Sequence, residues 1–221
     1  PRFSPDGRWI AFESRTQDER YKAEDESFQS PRKVERLFSR LNGEGWIFDR
    51  PQHVYVVPVD GTAPPRNLTP GPFQHGGVTW TADSKAIVTS AQRHDDWDLD
   101  LAQDLYSVAL SGPDEERIQP LTAQTGIYGY PSVSPDGRVV AFLGHDDQAT
   151  YPQNVHVGLV PVKGGEHRWI STGLDRTFET TAGTVIPIWE SDTTLITSAE
   201  DRGETHIFRV HTDGSAPTRL T

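Results

Sequence analysis

The chain has 221 residues, 34% of them hydrophobic and 24% charged, with 19 Gly, 17 Pro and a formal net charge of −11. This is a turn-rich chain long enough for a sizeable core, and its acidity, with no basic stripe interleaved with aromatics, argues against a nucleic-acid partner. No apolar run approaches the roughly 20 residues that span a bilayer and no basic-then-apolar leader opens the sequence, so no membrane partner is expected. The absence of Cys removes disulfides and thiolate metal sites but does not fix the compartment. A cytoplasmic location is the working expectation, with periplasmic or secreted as the alternative. There is no Met, Pro1 stands a few residues before a turn, and Thr221 falls on a repeat edge. The chain is therefore expected to be part of a larger protein.

Phe3-Ser4-Pro5-Asp6-Gly7-Arg8-Trp9-Ile10-Ala11-Phe12 opens the first unit and returns as Val133-Ser134-Pro135-Asp136-Gly137-Arg138-Val139-Val140-Ala141-Phe142. Pro presets the first turn position, Asp suits the second and Gly can take the left-handed conformation of a three-residue hairpin with a bulge. Looser copies surround Trp80-Thr81-Ala82-Asp83-Ser84 and Trp189-Glu190-Ser191-Asp192-Thr193. The four acids Asp6, Asp83, Asp136 and Asp192 are 77, 53 and 56 residues apart, a near-constant period after one long first interval. Each copy leads to a second apolar run, a second turn (Asp60-Gly61, Ser111-Gly112, Gly164-Gly165, Asp213-Gly214) and a closing pair (Leu68-Thr69, Leu121-Thr122, Ile170-Ser171, Leu220-Thr221). Four short strands per unit predict an all-β fold: a β-propeller segment of four consecutive four-stranded blades, part of a larger propeller. The units run over about 1–69, 70–122, 123–171 and 172–221. Trp9, Phe12, Trp80, Phe142, Trp189 and Phe208 are expected between blades, and Asp18, Glu24 and Glu26 in solvent.

The first unit carries an insertion, residues 15–50. Residues 17–30 are polar and acidic, which reads as a solvent-facing loop. Val34, Leu37, Phe38 and Leu41 fit a helical face, yet Asn42-Gly43 between apolar runs is a strong hairpin signal, so an extended hairpin is favoured over a helix. The second unit carries His94-Asp95-Asp96-Trp97-Asp98-Leu99-Asp100 in its long loop. Alternate carboxylates suggest calcium, but Gly is missing at the sixth position and Glu at the twelfth, so a solvated acidic loop is expected. His145-Asp146-Asp147 and Glu200-Asp201-Arg202-Gly203 occupy the same place in the later units, which puts these acids on one rim. No G-x-S-x-G, H-E-x-x-H or G-x-x-x-x-G-K pattern is present, so no catalytic residue, metal ligand or cofactor is assigned.

The Ser-Pro-Asp-Gly-Arg repeats, taken with Arg36-Leu37-Phe38-Ser39-Arg40-Leu41-Asn42-Gly43-Glu44-Gly45-Trp46 and Asp49-Arg50-Pro51, resemble the propeller of the prolyl oligopeptidase family. Arg93-His94-Asp95-Asp96-Trp97-Asp98-Leu99-Asp100 running into Asp104-Leu105-Tyr106, and Glu200 to Gly203 running into His206-Ile207-Phe208, resemble its acylaminoacyl-peptidase branch. The propeller of the Tol-Pal system shares the blade repeat. The resemblance implies a non-catalytic propeller that gates peptide access to a C-terminal α/β-hydrolase domain with a Ser-Asp-His triad, a domain these 221 residues lack. It implies peptide substrates and that domain as partners, and it admits a homo-oligomer. The alternative is a stand-alone propeller that binds proteins on its rim. On the peptidase reading the insertion supplies the candidate substrate-binding residues. Glu24, Asp25 and Glu26 would face a peptide amine, and Arg36 and Arg40 a carboxylate or the partner domain.

Overall fold

The computed structural model describes residues 1–221 except 24, 29, 124, 125, 151, 181 and 182, and for Glu26 it describes the backbone alone. Four antiparallel four-stranded sheets follow one another along the chain. The first holds β1 (Arg2–Phe3), β2 (Trp9–Arg15), β5 (Gln52–Pro58) and β6 (Arg66–Asn67), with the hairpin β3 (Arg40–Leu41) and β4 (Gly45–Trp46) inside its insertion. The second holds β7 (His75–Trp80), β8 (Ala86–Ala91), β9 (Asp104–Ala109) and β10 (Ile118–Pro120). The third holds β11 (Ile127–Val133), β12 (Val139–His145), β13 (His156–Pro161) and β14 (Arg168–Trp169). The fourth holds β15 (Ile188–Ser191), β16 (Thr194–Asp201), β17 (Glu204–His211) and β18 (Thr218–Arg219). Strand order equals chain order in every sheet, as the four-blade reading requires. The helical pieces among the described residues are three single 3-10 turns.

The closing pairs have a role that their pattern did not disclose. The fourth strand is short and its ladder runs out, so a hydroxyl takes over as acceptor. Leu68 N–H donates to the Val54 carbonyl while Thr69 Oγ1 accepts the Val54 N–H, at 2.8 and 2.9 Å. The same exchange joins Leu121-Thr122 to Leu105, Ile170-Ser171 to Val157 and Leu220-Thr221 to Ile207. Thr69, Thr122 and Ser171 are buried, where an unpaired strand N–H would be expensive.

Alternation along the second strands sends successive residues into different inter-blade cores. Ile87 packs with Ala11, Val54, Val56 and Trp80 between the first two blades. Its neighbour Val88 packs with Leu105, Tyr128, Val140 and Phe142 between the second and third. Ala141 then faces Leu195, Phe208 and Val210 in the fourth. Trp80, Phe142 and Phe208 are buried as expected, whereas Trp9, Phe12 and Trp189 are only half-buried. Phe12 points away from the second blade and stacks on Tyr55 of its own sheet at 5.7 Å. Trp80 and Trp189 each donate an indole N–H to the preceding blade, to the Arg2 and Ser132 carbonyls.

In the first three hairpins a hydroxyl organises the turn. Ser4, Thr81 and Ser134 each donate to the turn aspartate and accept a backbone N–H at the far end. Gly7, Ser84 and Gly137 take φ of 70°, 60° and 71°. Gly137 N–H donates to the Ser134 carbonyl and Ser134 N–H to the Val139 carbonyl, so four residues, not three, lie between the bonded ends. The fourth hairpin departs further. Glu190 replaces the hydroxyl, Ser191 pairs with Thr194 across a two-residue turn, and Asp192 instead accepts the Asp136 N–H of the third hairpin at 3.0 Å. The turns thus stack blade on blade: Asp6 N–H likewise donates to Ser84 Oγ, and a Cβ on Gly137 would meet Ala82 Cβ at 2.9 Å. Gly137→Val, strained and crowded at once, is expected to destabilise by about 1–3 kcal/mol in urea melts. A loss near zero would show that the stacked turns yield freely.

Candidate functional site on the loop face

Strand direction places every connection between second and third strands at one end of the blades. These are residues 16–51, 92–103 and 146–155, and the tight turn at Arg202-Gly203. The insertion begins with Thr16 N–H on the Pro51 carbonyl and Asp18 N–H on the Asp49 carbonyl. Asp18 then caps the 3-10 turn Glu19–Tyr21 and pairs with Arg20, so it is half-buried and not in solvent as expected. Tyr21 is buried, with the Arg20 and Arg32 guanidiniums 5.6 and 5.5 Å from its ring. Asn42-Gly43 makes the expected hairpin, with Gly43 at φ 85°, but each of its strands has only two residues and 31–38 are irregular. Val34, Leu37, Phe38 and Leu41 stay exposed.

Asp98 fastens this insertion to the second blade. Its carboxylate accepts the Leu37 N–H at 2.6 Å and Arg36 Nη1 at 2.9 Å, while Arg36 also donates to the Asp95 carbonyl and lies 5.9 Å from the Trp97 ring centre. The Leu37 N–H and then the Arg36 guanidinium hold the Asp98 carboxyl below the usual carboxylate range, against the opposing effect of desolvation. The acid loop is therefore not simply solvated: Asp98 is buried, and Asp100 accepts from His94 Nε2 and the Ala102 N–H. No group of three or more potential metal ligands occurs among the described residues. Asp98→Ala is expected to release 31–41, speeding tryptic cleavage after Arg36 and Arg40 about tenfold while the blades melt nearly unchanged. An unchanged cleavage pattern would mean the hairpin is held by other contacts.

Of the residues singled out in the sequence, Arg36 is committed to Asp98, and Arg40 is exposed with its guanidinium 5.8 Å from the Trp46 ring centre. Asp25 is exposed and accepts from Ser27. Glu24 and the Glu26 side chain lie outside the described residues. A cavity of about 220 Å³ opens beneath the insertion, walled by Tyr21, Phe48, Arg36, Gln74 and Trp97. A groove of about 830 Å³ follows the inner strands past Glu13, Gln103, Tyr130 and Glu179.

Tyr130 was missed in the sequence. It sits at a bulge with φ 55°, where the second blade has Gly77 at φ 68°, and its hydroxyl is 3.3 Å from Glu179 Oε1. Burial and then the Glu179 charge push its pKa up. The one signal available was the alignment of Gly129-Tyr130 with Gly76-Gly77.

His53 and His75 are both buried. His53 accepts from Asn67 at Nδ1 and so donates its Nε2–H to the Gly71 carbonyl, and burial holds its pKa down. His75 is pushed down to about 3, chiefly by burial and then by the Arg93 charge.

No family model matches the sequence, and no curated protein matches it. Solved structures do. TolB from Acinetobacter baumannii superposes with TM-score 0.61 at 16% identity, over 99% of this chain and 41% of that one. Puromycin hydrolase, as its S511A mutant complexed with PGG, gives 0.62 at 15%, over 99% and 28%. Prolyl oligopeptidase B from Galerina marginata, bound to a 35mer hydrolysis and macrocyclization substrate, gives 0.55 at 12%, over 99% and 28%. The chain thus spans less than half the length of these three proteins. At such identities the likeness is one of fold: the chain is a β-propeller segment similar to the propeller domains of prolyl oligopeptidases and puromycin hydrolase, and to TolB.

Proposed function

We propose that the chain is the non-catalytic propeller portion of a serine peptidase of the prolyl oligopeptidase family, gating peptide access to an α/β-hydrolase domain in the same protein. The observation that carries this reading is the insertion. Its Arg-Leu-Phe-Ser-Arg-Leu-Asn-Gly-Glu-Gly-Trp run lies on the face with the long loops and is bolted to the second blade through Asp98, a fixed ledge over a cavity. Peptide-hydrolysing neighbours of the same fold support it. The second reading, a stand-alone interaction propeller, is supported by the TolB likeness.

On the peptidase reading Arg40 is open to a carboxylate or to the partner domain, Arg36 reaches either only by sharing Asp98, and Glu24, Asp25 and Glu26 offer charge to a peptide amine. Reading the gene beyond Thr221 separates the hypotheses: G-x-S-x-G followed by Asp and His supports the peptidase, and a stop after a few more blades the interaction module. In the full-length protein, Arg40→Ala, and separately Glu24→Ala with Glu26→Ala, should raise KM for peptides with thermal stability nearly unchanged. Wild-type kinetics in both would remove the insertion from substrate access.

A further inference from the structure

Arg93 leaves β8 at the loop face and is half-buried with no carboxylate partner among the described residues. Most of the arginines that the structure buries even partly are matched to an acid: Arg15 to Glu44, Arg176 to Asp201, Arg209 to Glu190. Arg93 instead lies over the Phe73 ring, 4.8 Å from its centre, with Tyr106 at 6.0 Å on its flank. It donates one bond, Nη1 to the Nε2 of neutral His75 at 3.1 Å. Burial pulls its pKa down, with Tyr106 acting the other way. A guanidinium oriented by aromatic rings, with most of its five donors unspent and no acid to neutralise it among the described residues, is a preorganised fork for an anion.

We propose that Arg93 binds the carboxylate of a peptide ligand on the loop face. The anion is set by the fork. The peptide rests on the peptidase reading, and a singly charged carboxylate suits a chain of net charge −11 better than a phosphate dianion does. The chain segment that carries Phe73 also supplies Pro72 and Gln74 to the wall of the cavity beneath the insertion, so an anchored carboxylate would lie next to that opening.

The test uses the full-length protein, with any reactive serine first blocked by a fluorophosphonate so that peptides are not consumed. Affinity is measured for a short peptide with a free C-terminus, for its C-terminal amide, and for amides ending in Glu or Gln. The free acid, or the Glu amide over the Gln amide, should bind about tenfold tighter in wild type. That preference should fall to about onefold in Arg93→Gln and return in part in Arg93→Lys, with far-UV CD unchanged. The arm that shows it tells an α-carboxylate from a side-chain one. Equal affinity of acids and amides in wild type, or a preference that survives Arg93→Gln, overturns the proposal. Absence of fluorophosphonate labelling counts against the peptidase reading alone, since binding is measured independently of it.

Discussion

Moving from pH 7 to pH 4 is expected to remove about 3 kcal/mol of stability through His75. Its folded pKa of about 3 lies below the ordinary 6.5. Between those values the unfolded chain binds a proton that the folded chain refuses, so stability is fully present above 6.5 and is lost as pH falls towards 3. His53, also held down by burial, adds a loss of the same sign. Lowered carboxylates such as Asp83 and Asp98 join in only further down, nearer their ordinary range. Urea titrations of wild type and His75→Gln, whose amide oxygen can still accept from Arg93, measure the effect. The variant should lose most of the slope between pH 6.5 and 4. Parallel curves would mean that His75 takes up its proton in the fold as readily as in the unfolded chain.

Gly144→Ala is expected to be the most damaging single methyl in the third blade. A Cβ there would lie 2.1 Å from the Ile127 carbonyl oxygen and 3.1 Å from Tyr128 Cδ1, in the strand that faces it. Backbone cannot step aside as a side-chain tip can, so the cost is about 3 kcal/mol or failure to fold. The second blade makes the comparison internal, because Ala91 pairs with His75 at the same place and carries its Cβ without difficulty. Ala91→Gly should lose only about 1 kcal/mol. A Gly144→Ala protein within about 0.5 kcal/mol of wild type would show that the third sheet can open there.

What the sequence disclosed was what depends on local chemistry. Pro-Asp-Gly dictated hairpins and left-handed glycines, and the recurring period dictated four alike sheets. Leu-Thr and Ile-Ser were visible as repeat ends, but that the hydroxyl replaces a ladder carbonyl depends on how short the fourth strand is. The two-residue fourth hairpin was concealed by Asp192, which matches its sister acids in sequence while bonding to a neighbouring blade. Phe12 looked like core because the strand is apolar on both faces, and a strand does not state which face has a neighbour. The contacts of Asp98 and Arg93 were hidden for the same reason: an acid in an acid run, and an arginine beside it, acquire their meaning from partners up to some 60 residues away. Phe178, buried among the third- and fourth-blade residues, comes from a link with no periodicity at all.

The central claim, a propeller that serves a serine peptidase, is tested most directly by reacting the full-length protein with a fluorophosphonate and mapping the labelled peptide. The account predicts one labelled serine, outside residues 1–221 and within a G-x-S-x-G sequence, with labelling slowed by a peptide that occupies the loop face. Label on a serine inside residues 1–221, or none on a folded full-length protein, would contradict it.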